Sequence, residues 1–212
     1  MNNKKRGLLI VISGPSGAGK GTICKELLKN NKDLSLSVSA TTRCPRNGEI
    51  DGVNYYFLTR EEFEKRIDEN DFLENAEVYG NYYGTPKSNV EETLENGNDV
   101  ILEIDIQGAL KVKENTEEGV FIFILPPSME ELKQRIIKRG SETPESLMKR
   151  FKSAYKEINF VSKYNYAVVN DKVDVAVEKL EAIISAEKCR VDRLKHSILD
   201  SKEDLIHEQL YD

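Results

Sequence analysis

Histidine is nearly missing from this chain: His196 and His207 both fall within the last seventeen of 212 residues. A His-based catalytic triad or a His-rich zinc site in the main body is thereby excluded. Tryptophan is absent, and the three cysteines, Cys24, Cys44 and Cys189, stand far apart with no CxxC pair. That spacing builds neither a disulfide framework nor a paired-cysteine metal site. Long apolar runs are missing too. The N-terminal run Leu8-Leu9-Ile10-Val11-Ile12 is shorter than the roughly seven to fifteen residues of a signal segment and far from the ~20 of a membrane span. A soluble cytoplasmic protein with no membrane partner is expected. Positive charge is also in deficit, with 31 Lys and Arg against 37 Asp and Glu, a net charge of −6. That balance argues against nucleic-acid polymers as partners. The chemistry left to this chain uses lysine, arginine, carboxylates, hydroxyls and backbone amides.

What is present has an alternating rhythm. Residues 8–12, 100–104, 120–125 and 166–169 are near-continuous apolar runs, as strands buried on both faces require. Amphipathic stretches separate them: 20–29, 86–96, 107–115, 129–139, 144–161, and one through Val173, Val177, Leu180 and Ile184. The pattern predicts an α/β fold, a parallel sheet flanked by helices. Residues 35–56 break the rhythm, being rich in Ser, Thr, Gly and Asn, with short alternation at Leu36, Val38 and Ala40. Residues 53–58 read as a short strand, and Thr59 with Glu62 as a capping box opening a helix through Phe63 and Ile67. The expected organisation is one domain over 1–194. Its core is about 1–37, 90–127 and 158–194, with a small mixed-sheet insertion at about 38–89 and a helical lid at about 128–157. Residues 195–212 read as a tail.

The strongest local signal is Gly14-Pro15-Ser16-Gly17-Ala18-Gly19-Lys20-Gly21-Thr22, which follows a buried strand and opens a helix. Glycines let successive amides point inward at phosphate oxygens, and the helix N-terminus adds partial positive charge. Lys20 can bridge the β- and γ-phosphates of a nucleoside triphosphate. Gly21 stands where the general pattern has the Mg²⁺-binding Ser or Thr, and Thr22 follows. This Gly-Lys-Gly-Thr is similar to nucleoside monophosphate kinases rather than switch GTPases. The run 100–105 ends in acid, so as a strand it would aim Glu103 and Asp105 to one side, toward the ligand crevice. One of them, Glu103 in the first instance, can anchor the water shell of Mg²⁺ while the other binds substrate; an ordinary charged strand end is the other reading.

Arg43 and Arg46 stand three apart after a run of hydroxyl residues, and paired guanidiniums suit a dianionic phosphate. Tyr55 can add a phenolic hydrogen bond. Four runs then occur in one order: the phosphate loop, Thr-Thr-Arg-x-Pro-Arg-x-Gly-Glu, Gly-Asn-Tyr-Tyr-Gly-Thr and Ile-Asp-Ile-Gln-Gly. Together they resemble the bacterial guanylate kinase family over about residues 5–190. The resemblance implies a P-loop core with a GMP-binding insertion and a lid, and ATP and GMP as substrates. It puts Arg43, Arg46, Tyr55 and Tyr83 on the GMP phosphate, and Ser39, Glu74, Thr85 and Asp105 on the guanine edge. The pairing suits guanine, whose N1 and N2 donate where carboxylates accept; adenine would leave Glu74 facing a lone pair. Without the resemblance Glu74 reads as one acid in the strongly acidic stretch 60–80.

In the lid, Arg135 and Arg139 lie i, i+4 on one helix, and Arg150 lies in the second turn of the next, which Pro144 opens. Arginines on helices are commonly solvated. The family resemblance instead implies that these three reach the transferring phosphoryl group. Asn170, after the fourth strand, is expected near the adenine. Mg²⁺ arrives with ATP. Three activities stay open: a guanylate kinase, a kinase for another nucleoside monophosphate, and a non-catalytic scaffold that binds a phosphopeptide in the monophosphate pocket. A homo-oligomer also stays open, because surface patches are not readable from the pattern.

Overall fold

The computed structural model describes residues 6–78, 80–116, 118–138 and 144–194, with the side chains of 144–147, 149 and 150 outside that description. The expected tail at 195–212 lies outside the described residues. Strand β1 (Leu9–Ser13) is buried along its whole length. Its even-numbered side chains, Ile10 and Ile12, join Ile23, Leu27, Ala176 and Leu180. Leu9 and Val11 point the other way, toward Val90, Leu94, Ala109 and Val112. This two-sided burial is why the run is continuously apolar instead of alternating. The helices that cover it are α1 (Lys20–Asn30), α3 (Lys87–Glu95), α4 (Ile106–Asn115) and α7 (Val173–Lys188).

Around β1 runs a fully parallel sheet in the order β2-β7-β1-β8-β9. β7 (Asp99–Glu103), β8 (Val120–Leu125) and β9 (Tyr166–Val169) are the strands the apolar runs predict. The fifth, β2 (Leu34–Leu36), was hidden inside an alternation that proves to be divided between two sheets. Leu34–Leu36 pairs with β7 at the core edge. After Ser37 the chain leaves that sheet, and β3 (Ala40–Thr41) pairs with the insertion.

The insertion carries a second sheet in the order β4-β3-β6-β5. β4 is Tyr56–Phe57, β5 is Phe72–Val78 and β6 is Asn81–Pro86. β5 and β6 form an antiparallel hairpin that sets Glu74 opposite Thr85. Helix α2 (Arg60–Asp68) opens with the expected capping box: Thr59 accepts from the Glu62 amide and Glu62 reaches back to the Thr59 amide. Its fully buried Phe63 stacks on Phe72 at 4.5 Å and on Tyr82 at 5.3 Å between ring centres. The remaining helices are α5 (Met129–Lys138) and α6 (Pro144–Ile158), and α6 ends in a 3-10 turn, Asn159–Lys163. No helix among the described residues is long and apolar enough to cross a membrane.

Phe63 is the insertion's aromatic anchor, so Phe63→Ala should cost about 3–5 kcal/mol there. In amide exchange, β5, β6 and α2 should open faster while β1 and β8 keep their protection. Equal loss of protection across both sheets would make the insertion inseparable from the core.

Candidate active site

A parallel strand cannot turn back within its own sheet, so β1 must leave at its carboxyl end, where crevices of α/β sheets form. Residues 14–19 make that exit, and Gly19 directly precedes α1. Gly19 has φ 93°, and a Cβ there would stand 2.4 Å from Nδ2 of Asn170. Any side chain would therefore be strained and would collide. Asn170 is itself buried. Its side-chain Nδ2 donates to the Ala18 carbonyl at 2.7 Å, and its backbone carbonyl accepts from Nη2 of Arg135 at 3.2 Å. The structure thus places Asn170 behind the loop as a brace and sets Arg135 beside it. Arg139 lies outside the described residues, as does the side chain of Arg150. Thr22 is exposed on the first turn of α1.

The Lys20 ammonium folds back on the loop and donates to the Gly14 carbonyl at 2.6 Å. Burial pushes it below the ordinary lysine value. Glu103, then Glu157, with a smaller part from Asp105, push it back up. Glu157, which sequence reasoning missed, comes from α6: its Oε2 lies 3.4 Å from the Ser16 amide, which donates to it. Nothing in an amphipathic helix pattern singles out a solvated-looking acid.

The expectation for Glu103 and Asp105 needs correcting. β7 stops at Glu103, and Asp105 caps α4, accepting from the Gly108 amide at 2.8 Å. The two acids therefore do not share a strand face. Both nevertheless act on Lys20, and Glu103 lies 3.4 Å from the point where a side chain at position 21 would begin. Among the described residues no group of three or more His, Cys, Asp and Glu can hold a metal. One carboxylate beside a phosphate loop fits Mg²⁺, which keeps several waters and binds through one or two carboxylates plus phosphates.

The insertion supplies the facing wall. Arg43 forms a fork on Glu49, with Nη1 at 2.9 Å and Nη2 at 3.0 Å, while Glu49 also accepts from the Arg46 amide at 2.7 Å. Arg43 accordingly holds the Glu49 carboxyl below the usual carboxylate range. The guanidinium of Arg43 lies 5.4 Å from the Tyr55 ring centre, and Tyr55 meets Tyr83 edge-on at 6.1 Å. So Arg43, Tyr55 and Tyr83 converge, whereas the Arg46 side chain is exposed. Glu49 was missed as a site residue although it ends the Thr-Thr-Arg run, six residues after Arg43, where the loop turns it back onto the guanidinium.

Glu74 is buried at 7% exposure and accepts from the Thr85 hydroxyl at 2.8 Å. A Cβ at Gly108 would stand 2.6 Å from Glu74 Oε2, so the first turn of α4 touches the carboxylate only because residue 108 is glycine. Lys111, a turn later, donates to the Asn75 carbonyl and ties α4 to β5. Burial pushes the Glu74 carboxyl up to about 7; the Thr85 bond opposes this, Asp105 adds to it and Lys111 opposes it. Ser39 is half-buried, its carbonyl accepting from the Tyr56 amide at 2.9 Å. The arrangement pairs a phosphate cradle with a buried acceptor carboxylate and an arginine–tyrosine cluster.

Residues 6–187 match the family model described as guanylate kinase. A guanylate kinase of Clostridium perfringens strain SM101 is 76% identical over 212 residues, covering 100% of this chain and 98% of that one. A guanylate kinase of Clostridium tetani is 76% identical over 208 residues, 98% of this chain and 100% of that one. A crystal structure of guanylate kinase from Anaplasma phagocytophilum superposes with a TM-score of 0.75 at 37% identity, covering 90% of each chain.

Glu74 also sets a pH dependence of stability. Its folded value of about 7 lies above the ordinary 4.5, so the folded state holds the proton more tightly. That contribution is complete below the unfolded value and is lost as pH rises through about 7. Glu74→Gln should therefore gain on the unsubstituted protein by roughly 1–3 kcal/mol between about pH 5 and about pH 8. Thermal unfolding of both at several pH values measures this; a gap that does not widen with pH would place the charged carboxylate in a better-solvated site.

Proposed function

The chain belongs to the guanylate kinase family, and we propose that it transfers the γ-phosphoryl group of ATP to GMP, giving ADP and GDP. The observation that supports this best is the buried Glu74, oriented by Thr85, in the same protein as a loop bearing Lys20. Glu74 as a carboxylate accepts from guanine N1 and N2, with Asp105 as second acceptor, while Ser39 and Thr85 supply hydroxyls for the base edge. Arg43, Arg46, Tyr55 and Tyr83 hold the GMP phosphate. Glu49 fixes the Arg43 fork before substrate arrives. Bidentate geometry makes that preorientation count.

The loop amides of residues 14–22 and Lys20 hold the ATP phosphates, with Asn170 bracing the loop from behind. Lys20 exchanges its bond to the Gly14 carbonyl for phosphate oxygens. Glu103 would hold the water shell of Mg²⁺ bound with ATP, and that ion would supply neutralisation of phosphate charge. The reaction is direct and in line. The GMP phosphate is already an anionic nucleophile, so no strong base is required. Positioning and charge neutralisation by Lys20, Arg43, Arg135, Arg139 and Arg150 lower the barrier. Closure of the insertion and lid excludes water, which would otherwise hydrolyse ATP. The reaction belongs to purine nucleotide metabolism in the cytoplasm.

A coupled ADP-release assay with GMP, AMP, UMP and dTMP tests the proposal: turnover with GMP should exceed the others by orders of magnitude. Faster turnover with AMP would overturn the guanine assignment, and no turnover with any acceptor would favour a phosphopeptide-binding scaffold. Lys20→Ala should lower kcat by roughly 100-fold or more with unchanged thermal unfolding; near-normal turnover would remove Lys20 from the mechanism.

A further inference from the structure

A phosphate loop is an anion site by construction. Inward amides, a helix N-terminus and a lysine together favour negative charge there. In this protein a side chain approaches that site from a distant element. Glu157 lies near the end of α6, and its Oε2 is 3.4 Å from the Ser16 amide, 141 residues away in sequence. Its orientation is specified: the Ser153 hydroxyl, one turn earlier, donates to Oε1 at 2.9 Å. Among the carboxylates that act on Lys20, Glu157 is second only to Glu103. Glu103 stands on the core sheet and cannot leave, whereas Glu157 stands on a helix of the lid region.

We infer that Glu157 is a positioning residue for nucleotide entry: its carboxylate docks α6 on the phosphate loop through the Ser16 amide, and an incoming polyphosphate competes for that amide and displaces it. This rests on the reading that ATP is the loop's ligand. The physical reason is electrostatic exclusion. A carboxylate against a loop amide and a triphosphate on the same loop are like charges in a partly desolvated site, so they disfavour one another. Two consequences follow. The binding-competent form is only a fraction of the empty enzyme, which weakens apparent ATP affinity by that fraction. Displacement also frees the end of α6 from the loop while Ala154 keeps the helix packed on Leu132 and Ile136 of α5, so nucleotide arrival and movement of that helix pair become one event.

The test is calorimetric binding of ATP, and separately of inorganic tripolyphosphate, to the full-length enzyme without GMP. Glu157→Gln keeps the side chain's shape and removes its charge. It should bind both ligands about three- to tenfold more tightly, because the competing anion is gone. Ser153→Ala, which frees the Glu157 rotamer, should shift affinity in the same direction by less. Amide exchange of α6 in the empty Glu157→Gln enzyme should also be faster than in the unsubstituted enzyme. If Glu157 instead merely supports the loop's shape, both variants bind equally or more weakly, and that result overturns the inference. Should Glu157→Gln fail to fold, Ser153→Ala alone decides by the sign of its change. Failure of the unsubstituted enzyme to bind ATP would overturn the functional reading itself, a result distinct from unchanged affinity in the variants.

Discussion

The two-sided burial of β1 is the constraint on which the crevice depends. Side chains on both faces are locked into helix-covered layers, so the strand has no freedom to slip, and its carboxyl end is fixed in space. A fixed end lets the next six residues hold a conformation that no isolated peptide would keep. Gly19 sits at positive φ against Asn170, whose backbone amide is anchored to the Leu125 carbonyl at the end of β8. The brace thus comes from the residue that follows β9, tied to the end of β8, and the same core fixes both strands. A loop built this way is preorganised, so its amides need little rearrangement on meeting phosphate.

Charge is then distributed against the average. The net charge of −6 is an average over unlike stretches of the chain. Residues 129–153 carry a net +3 and residues 60–80 a net −5. The cations are not left bare. Lys20 is met by Glu103 and Glu157, and Arg43 by Glu49. Each pairing keeps a partly buried cation compensated until something more anionic replaces it, which is cheaper than leaving the charge unpaired. An acidic protein can in this way handle small anions without attracting polyanionic polymers, whose binding needs extended positive surface.

How much of this was legible in the sequence follows from the range of each interaction. Loop, buried strands and capping box are encoded within a few residues of themselves, and they stand where the pattern put them. β2 was not legible, because three edge residues merged into one alternation with β3, and only pairing partners far along the chain separate them. The insertion's small mixed sheet was legible, but the β5–β6 hairpin within it was not, since its polar residues obscure the alternation. Asp105 illustrates a different failure. A two-residue period beyond the strand's last pairing residue carries no meaning, because the chain there is already turning into a helix cap. Glu157 and Lys111 share a cause: each acts across a tertiary contact, and an acid or lysine on a solvated-looking segment has no local signature.

One short segment carries the connection between the two halves of the site. From Glu103 to Lys111 the chain passes from the side of Lys20 to the backbone of β5. Asp105 both caps α4 and raises the Glu74 carboxyl, so the start of this helix and the charge on Glu74 are not independent. Gly108 lets α4 press on Glu74, and Lys111 holds the strand that bears it. A shift of α4 would change the environment of Glu74, and its Asp105 cap also acts on Lys20. Packed elements of this kind move as units between discrete arrangements, because their interiors leave no space for small independent adjustments. The phosphate loop and the buried carboxylate are therefore linked through the nine residues from Glu103 to Lys111, which touch both.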